Sequence, residues 1–200
     1  MATMTLRMPQ AIRRLARDRR GVSAIEFAML APIMVGLYLG CTEISDGVAV
    51  DRKVSLTAAT LANLAASCSS SNANSGSCPV NTTPPYNITT TEMNNILDAS
   101  TAIIAPYAAS NLKMTLSCIN IDSNKVATVK WSAVRNGGTG GTVNVPAALL
   151  EVPRQLLYSE VSYAYTPTVG YTITGTLTLS DRMYMAPRVD APSYNGTACK

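Results

Sequence analysis

Two sets of side chains in this sequence have the type and spacing to do chemistry. The first is a carboxylate in an apolar setting. Arg19-Arg20-Gly21 is followed by Val22-Ser23-Ala24-Ile25-Glu26-Phe27, and between residues 21 and 42 Glu26 is the only charged side chain. As an α-helix that run is about 33 Å long, enough for a ~30 Å hydrocarbon core. An acid at the centre of such a helix costs roughly 2.5–3.5 kcal/mol on insertion scales; Glu26 lies nearer the end, where the cost is smaller but still asks for a partner. The second set is the cysteines. Cys41 falls at the end of the apolar run and is expected to be unpaired. Cys68, Cys78, Cys118 and Cys199 form an even set with three possible pairings. The Ser/Asn/Gly-rich loop between Cys68 and Cys78 favours that pair, which leaves Cys118–Cys199 to tie the tail to the core. Each closed loop would add about 2–4 kcal/mol.

Other chemistry is poorly provided for. Histidine, the commonest general base, is missing. The acids from residue 89 onward (Glu92, Asp98, Asp122, Glu151, Glu160, Asp181 and Asp190) are scattered singly. There is no Cys-x-x-Cys pair, so neither a metal nor a cofactor is expected. The glycine-rich stretch 136–141 lacks the Lys and Ser/Thr spacing of a phosphate loop and reads as a turn. The triplets at Asn81, Asn87 and Asn195 match a glycosylation pattern common enough by chance to carry no weight. The chain is not expected to be an enzyme.

Charge orients the molecule. The formal balance is +4, but Arg7, Arg13, Arg14, Arg17, Arg19 and Arg20 all precede Gly21, against the single acid Asp18. The remainder is close to neutral, so the basic character is a local flank and not a nucleic-acid surface. Beside an apolar run, such a flank stays on the cytoplasmic side and the rest of the chain is exported. An oxidising compartment there suits the cysteines.

The elements that carry these residues follow from periodicity. No proline occurs between Pro32 and Pro79. Val50, Val54, Ala58, Leu61, Leu64 and Ala65 recur at helical spacing, so one helix is expected from about residue 20 to residue 66, half in the bilayer and half outside. Pro32 frees the carbonyl of Ala28, which membrane helices tolerate. Gly36 and Gly40 form a small-xxx-small pair. A second helix follows Thr89, Thr90 or Thr91, with Glu92 in its first turn and Met93, Ile96, Leu97 and Ile103/Ile104 as its apolar face; Pro106 ends it. Alternation predicts strands over 112–121, 125–135, 155–165 and 175–186, with Asp122-Ser-Asn as a hairpin turn. The segment 143–151, punctuated by Pro146 and Pro153, is a short helix or an irregular approach to a strand. The expected fold class is α+β: a long N-terminal helix packed on a small antiparallel sheet. The divisions are 1–21 basic leader, 22–42 transmembrane helix, 43–66 its extracytoplasmic extension, 67–88 Cys/Ser/Asn/Pro loop and 89–200 outer domain.

With these residues in view, a resemblance can be stated. Arg19-Arg20-Gly21 with Glu26 five residues on resembles the class III signal of type IV pilin-like proteins. Gly21, Glu26, Phe27, Ala28 and Pro32 in the pattern Gly-x-x-x-x-Glu-Phe-Ala-x-x-x-Pro resemble the TadE-like pseudopilins of the tight-adherence (Tad/Flp) pilus system. Glu160-Val-Ser-Tyr-Ala-Tyr-Thr-Pro167 and Met183-Tyr-Met-Ala-Pro-Arg188 look like that family's C-terminal strand motifs. The resemblance implies a pilin-like fold in the bacterial inner membrane. It implies an aspartic prepilin peptidase that cuts between Gly21 and Val22, and other pilins and the Tad assembly platform as partners. It also implies that Glu26 pairs with the α-amine of a neighbouring subunit. Two features depart from the pattern. Val22 stands where mature pilins often begin with Phe or Met, and the outer part exceeds that of the small major Flp pilin, which fits a minor pilin or assembly component better. The Asp-x-Ser-x-Ser metal motif of the larger TadG-type relatives is absent. The competing readings are a signal-anchored periplasmic binding domain without cleavage and a secreted enzyme with an unusual signal.

Overall fold

The computed structural model describes residues 20–67, 87–138, 143–167, 175–188 and 191–200. The basic leader up to Arg19, the proposed Cys68–Cys78 pair and Asp190 lie outside the described residues.

Helix α1 (Arg20–Ser67) runs unbroken through Pro32. Its two halves have opposite surroundings. Its most apolar window is wholly unburied by the rest of the chain. Beyond residue 42, Glu43, Val50, Val54, Thr57, Ala58, Leu61, Ala62, Ala65 and Ala66 are buried in a stripe that recurs every three or four residues. The many alanines matter because they let the helix approach the sheet closely. Ser159 Oγ donates a 2.7 Å hydrogen bond to the Ala58 carbonyl, which leaves no room there for a longer side chain.

The sheet against that stripe has four strands: β2 (Leu112–Ile121), β3 (Ala127–Arg135), β4 (Arg154–Tyr165) and β5 (Leu177–Met185). Their order is β3-β2-β4-β5 and every pairing is antiparallel. The face toward α1 carries Leu112, Met114, Leu116 and Cys118 from β2 and Leu157, Val161, Tyr163 and Tyr165 from β4. This is the inward set that strict alternation implies. A bulge at Cys118/Ile119 shifts the register with β3 and lets Trp131 and Ala133 join the same core.

The opposite face is covered too. Strand β3 ends where Arg135 pairs with Met114, and β4 begins where Arg154 pairs with Ile121, at the other end of β2. The connection therefore returns along the outer face. Val143, Val145, Leu149 and Leu150 cover Ile119, Ile121, Leu156 and Tyr158 in a second, smaller apolar cluster. The connection starts at Gly137, with φ 77°, and Gly138, where an added Cβ would overlap the Thr115 side chain and the Met114 carbonyl. Within 143–151 the ordered piece is one 3-10 turn, Ala147–Leu149.

Three attachments close the domain. Helix α2 (Thr90–Thr101) is opened by a capping box, in which Thr89 Oγ1 accepts from the Glu92 N–H and Glu92 Oε2 accepts from the Thr89 N–H at 2.7 Å. It buries Met93, Ile96 and Leu97; the apolar face continues to Ile104 through a 3-10 turn ahead of Pro106. Lys53 Nζ donates to the carbonyls of Ile103 and Ala105 and lies 5.8 Å from the Tyr107 ring centroid, pinning that corner to α1. The tail returns to β1 (Asn87–Ile88), which pairs in parallel with β6 (Ser193–Tyr194). Trp131 Nε1 donates to the Pro192 carbonyl at 3.0 Å, and Cys118 is bonded to Cys199, 81 residues away.

Ala58→Leu is expected to destabilise the domain by about 1–3 kcal/mol, because the added volume meets the β4 backbone. Ser159→Ala should cost about 1 kcal/mol through the lost hydrogen bond. Urea midpoints of the full chain in detergent, followed by Trp131 fluorescence, would measure both; an unchanged midpoint in Ala58→Leu is incompatible with the close approach described.

Candidate functional site

The residues singled out by sequence divide between the two halves of the molecule. Gly21, Val22, Glu26, Phe27 and Pro32 all lie in the first turns of α1, on exposed backbone and side chains. Val22 and Glu26 are four apart, so they share one face of the helix. Among the described residues this run is the one helix long and apolar enough to cross a membrane. Glu26 itself is exposed.

The two later motifs are brought together. Residues 160–165 and 183–185 sit on β4 and β5, which are neighbours, with Glu160 opposite Arg182 and Leu157 opposite Met185. Val161, Tyr163 and Tyr165 face α1, and Met183 and Met185 pack against the same core. Arg188 closes the far end of α1: its backbone N–H donates to the Ala66 carbonyl, and its guanidinium reaches Asn63 Oδ1 at 2.9 Å. That bond occupies one of the carbonyls a helix C-terminus leaves open. The conspicuous residues of both motifs thus serve the helix–sheet joint.

Of the four cysteines in the even set, Cys118 and Cys199 are bonded. Cys41 is a free, exposed thiol.

Among the described residues, the scattered acids each have a structural partner. Glu92 caps α2. Asp98 pairs with Arg135 at 2.5 Å, and Glu151 with Lys125 at 2.7 Å. Asp122 Oδ1 accepts the N–H groups of Asn124 and Val126 and shapes the β2–β3 turn. Asp181 accepts from the Arg182 N–H. Glu160 is the most constrained: one oxygen receives Arg182 Nε and a terminal guanidinium nitrogen, each at 3.0 Å, and the other receives the Tyr158 hydroxyl at 2.9 Å. A carboxylate held on both oxygens is a poor proton shuttle. It borders a cleft of about 220 Å³ lined by Lys113, Thr115, Gly137, Gly138, Glu160 and Ser162. No nucleophile there is hydrogen-bonded to a base among the described residues. Nor do three metal-ligating side chains gather anywhere among them.

The phenols around these groups are hard to ionise. Burial pushes Tyr158 up, and its bond to the negative Glu160 pushes it further. Tyr184, 5.1 Å from Tyr158, is raised mainly by burial, with Arg182 opposing and Glu160 adding. Tyr165 is raised by burial, then by Asp46, Tyr107 and Glu43.

Comparison of the chain with protein-family models, with curated proteins and with solved structures finds no match.

The phenols give a pH dependence of definite sign. In the unfolded chain tyrosine ionises near pH ~10, whereas the folded domain holds these phenols neutral, so the unfolded state releases protons first. The stabilisation is fully present below about pH 10 and is lost as pH rises toward the folded-state values. Urea midpoints are expected to fall between about pH 9 and about pH 11, less so in Tyr158→Phe.

Proposed function

We propose that this chain is a membrane-anchored pseudopilin or minor pilin of a tight-adherence type IV pilus system. It is made as a precursor with a basic leader and is cut between Gly21 and Val22 by a prepilin peptidase at the cytoplasmic face of the bacterial inner membrane. It has a structural role in assembly rather than an enzymatic one. The observation that carries this reading is the unbroken α1. One helix leads from the Gly21–Glu26 motif through an unburied apolar run into a stripe packed on the sheet. The polypeptide thus delivers a greasy rod, with a single acid near its start, to partners in the membrane and holds its folded domain outside.

Glu26 supplies the mechanism. Cleavage removes the arginines of the leader and creates an α-amine at Val22. An acid at this depth is costly when alone. Side-by-side packing with another subunit brings an amine to it, so compensation comes only with assembly and favours one axial register. The same pairing accounts for Glu26 being unburied within one copy. The domain is periplasmic at first, with incorporation into the extracellular pilus as the later step.

In the native host with an active prepilin peptidase, intact mass should show a mature protein beginning at Val22. A retained arginine-rich leader would leave a signal-anchored domain as the reading. A start beyond the apolar run would leave a secreted protein.

Gly21→Leu should block processing, since the peptidase must accommodate a residue with almost no side chain. Glu26→Ala is expected to be cleaved normally but to enter the pilus machinery about tenfold less, equivalent to ~1.4 kcal/mol of lost pairing. Sheared-fibre and membrane fractions, compared by immunoblot, read this directly.

A further inference from the structure

We infer that the domain does not stand clear of the bilayer: the groove between the first residues of β5 and α1 is seated in the lipid headgroup layer. This rests on the reading of α1 as a membrane span.

The first observation is the absence of a stalk. Glu43 follows directly on the last residue of the apolar run, yet it is only 4% exposed. It stands at the head of the stripe that continues through Gly47, Val50 and Val54 toward the sheet. Packing of the domain on α1 therefore begins within one residue of where the apolar run ends. At about 1.5 Å per residue, Ile44 to Val48 lie roughly 3–9 Å beyond Thr42. A headgroup layer is itself roughly 5–7 Å deep on each side.

The second observation is what the domain presents at that level. A groove of about 380 Å³ is lined by Ile44, Gly47, Val48, Asp51, Leu177 and Leu179. Ile44, Val48 and Leu177 are 54%, 47% and 41% exposed. These apolar side chains continue the face of the span onto the first residues of β5. Asp51 is the lining residue farthest along α1; Asp46, also exposed, stands beside the groove at the level of Gly47.

The third observation is the chain that flanks the groove. Residues 161–167, at the end of β4, and 175–180, at the start of β5, contain no Asp, Glu, Lys or Arg. Lys113 and Arg135 stand at the same end of the sheet, on β2 and β3, the strands farther from the groove. Tyr165, at the end of β4, packs beside Gly47 of α1, at the level of the groove. The opposite hairpin carries Asp122 and Lys125, with the Lys125–Glu151 pair and Arg154 nearby. The uncharged, apolar surface beside the groove suits the interfacial layer, and charged surface suits water. The lining argues for lipid as the occupant, specifically the glycerol and upper acyl region of a phospholipid. The groove lies flush with the span, where lipid is the neighbour that surrounds the helix. Seating at two points, the helix and the start of β5, fixes the tilt of the domain over the membrane.

The test uses the full chain in vesicles of phosphatidylethanolamine and phosphatidylglycerol, with lipids brominated high in the acyl chain as quenchers. Tryptophan is introduced as Leu177→Trp, as Val48→Trp and, at the distal hairpin, as Val126→Trp; the fluorescence of the unaltered protein, from Trp131, is subtracted. The expected result is quenching at positions 177 and 48 several-fold stronger than at 126. Equal quenching at all three positions overturns the inference. Blue-shifted but unquenched emission at 177 and 48 also overturns it, because the groove then belongs to a protein neighbour. Alkaline carbonate extraction separates the two levels of failure. Protein that stays with the vesicles but shows no selective quenching loses only the seating, whereas protein released by carbonate loses the membrane span and the seating together.

Discussion

The physical constraint behind everything else is that one stiff helix carries two different surfaces. Helix α1 runs unbroken and meets its backbone hydrogen bonds within itself, the property any segment needs to leave water. Its side chains change character at residue 42. Up to residue 42 they offer apolar surface that is left unburied among the described residues; from Glu43 onward they offer small residues on the side where the sheet lies. The alanines at 58, 62, 65 and 66 are as informative as the larger apolar residues. A helix of leucines would have stood farther from β4, and Ser159 would not have reached the carbonyl of Ala58.

How far the fold could be read in the sequence depended on the range of the interactions. The span of α1, the threonine–glutamate cap of α2 and the strand over 112–121 are local or strictly periodic features, and the structure has them within a residue or so of the expected bounds. Strand β3 starts two residues later than alternation suggested, because Asp122 recruits the N–H groups of Asn124 and Val126 into the turn. The strand order, the parallel β1–β6 pair and the outer layer over 143–150 were not legible. Each depends on residues far apart in the chain, and no local pattern records such pairings. Gly138 had a local signal, a glycine in a glycine-rich turn, but only its position over Thr115 explains why a side chain is unwelcome there.

The site was legible to a different degree. The spacing of Gly21, Glu26, Phe27 and Pro32 is plain from the sequence, and the structure adds that they share one uninterrupted helix. The roles of Glu160 and Arg188 were hidden inside motif-like segments. Glu160 is one corner of an outward-facing Tyr158–Glu160–Arg182 cluster, and Arg188 is a plug for the end of α1. Acids that looked idle when scattered along the chain prove to be the pins of turns, caps and strand edges.

The Cys118–Cys199 bond has a consequence for biogenesis. Cys118 lies in the middle of a central strand, and its partner is 81 residues later. Because Cys199 follows β5 in the chain, the two thiols can join only after β3, β4 and β5 have all been synthesised. The bond therefore cannot form ahead of the sheet it braces; it locks a domain whose strands are already present.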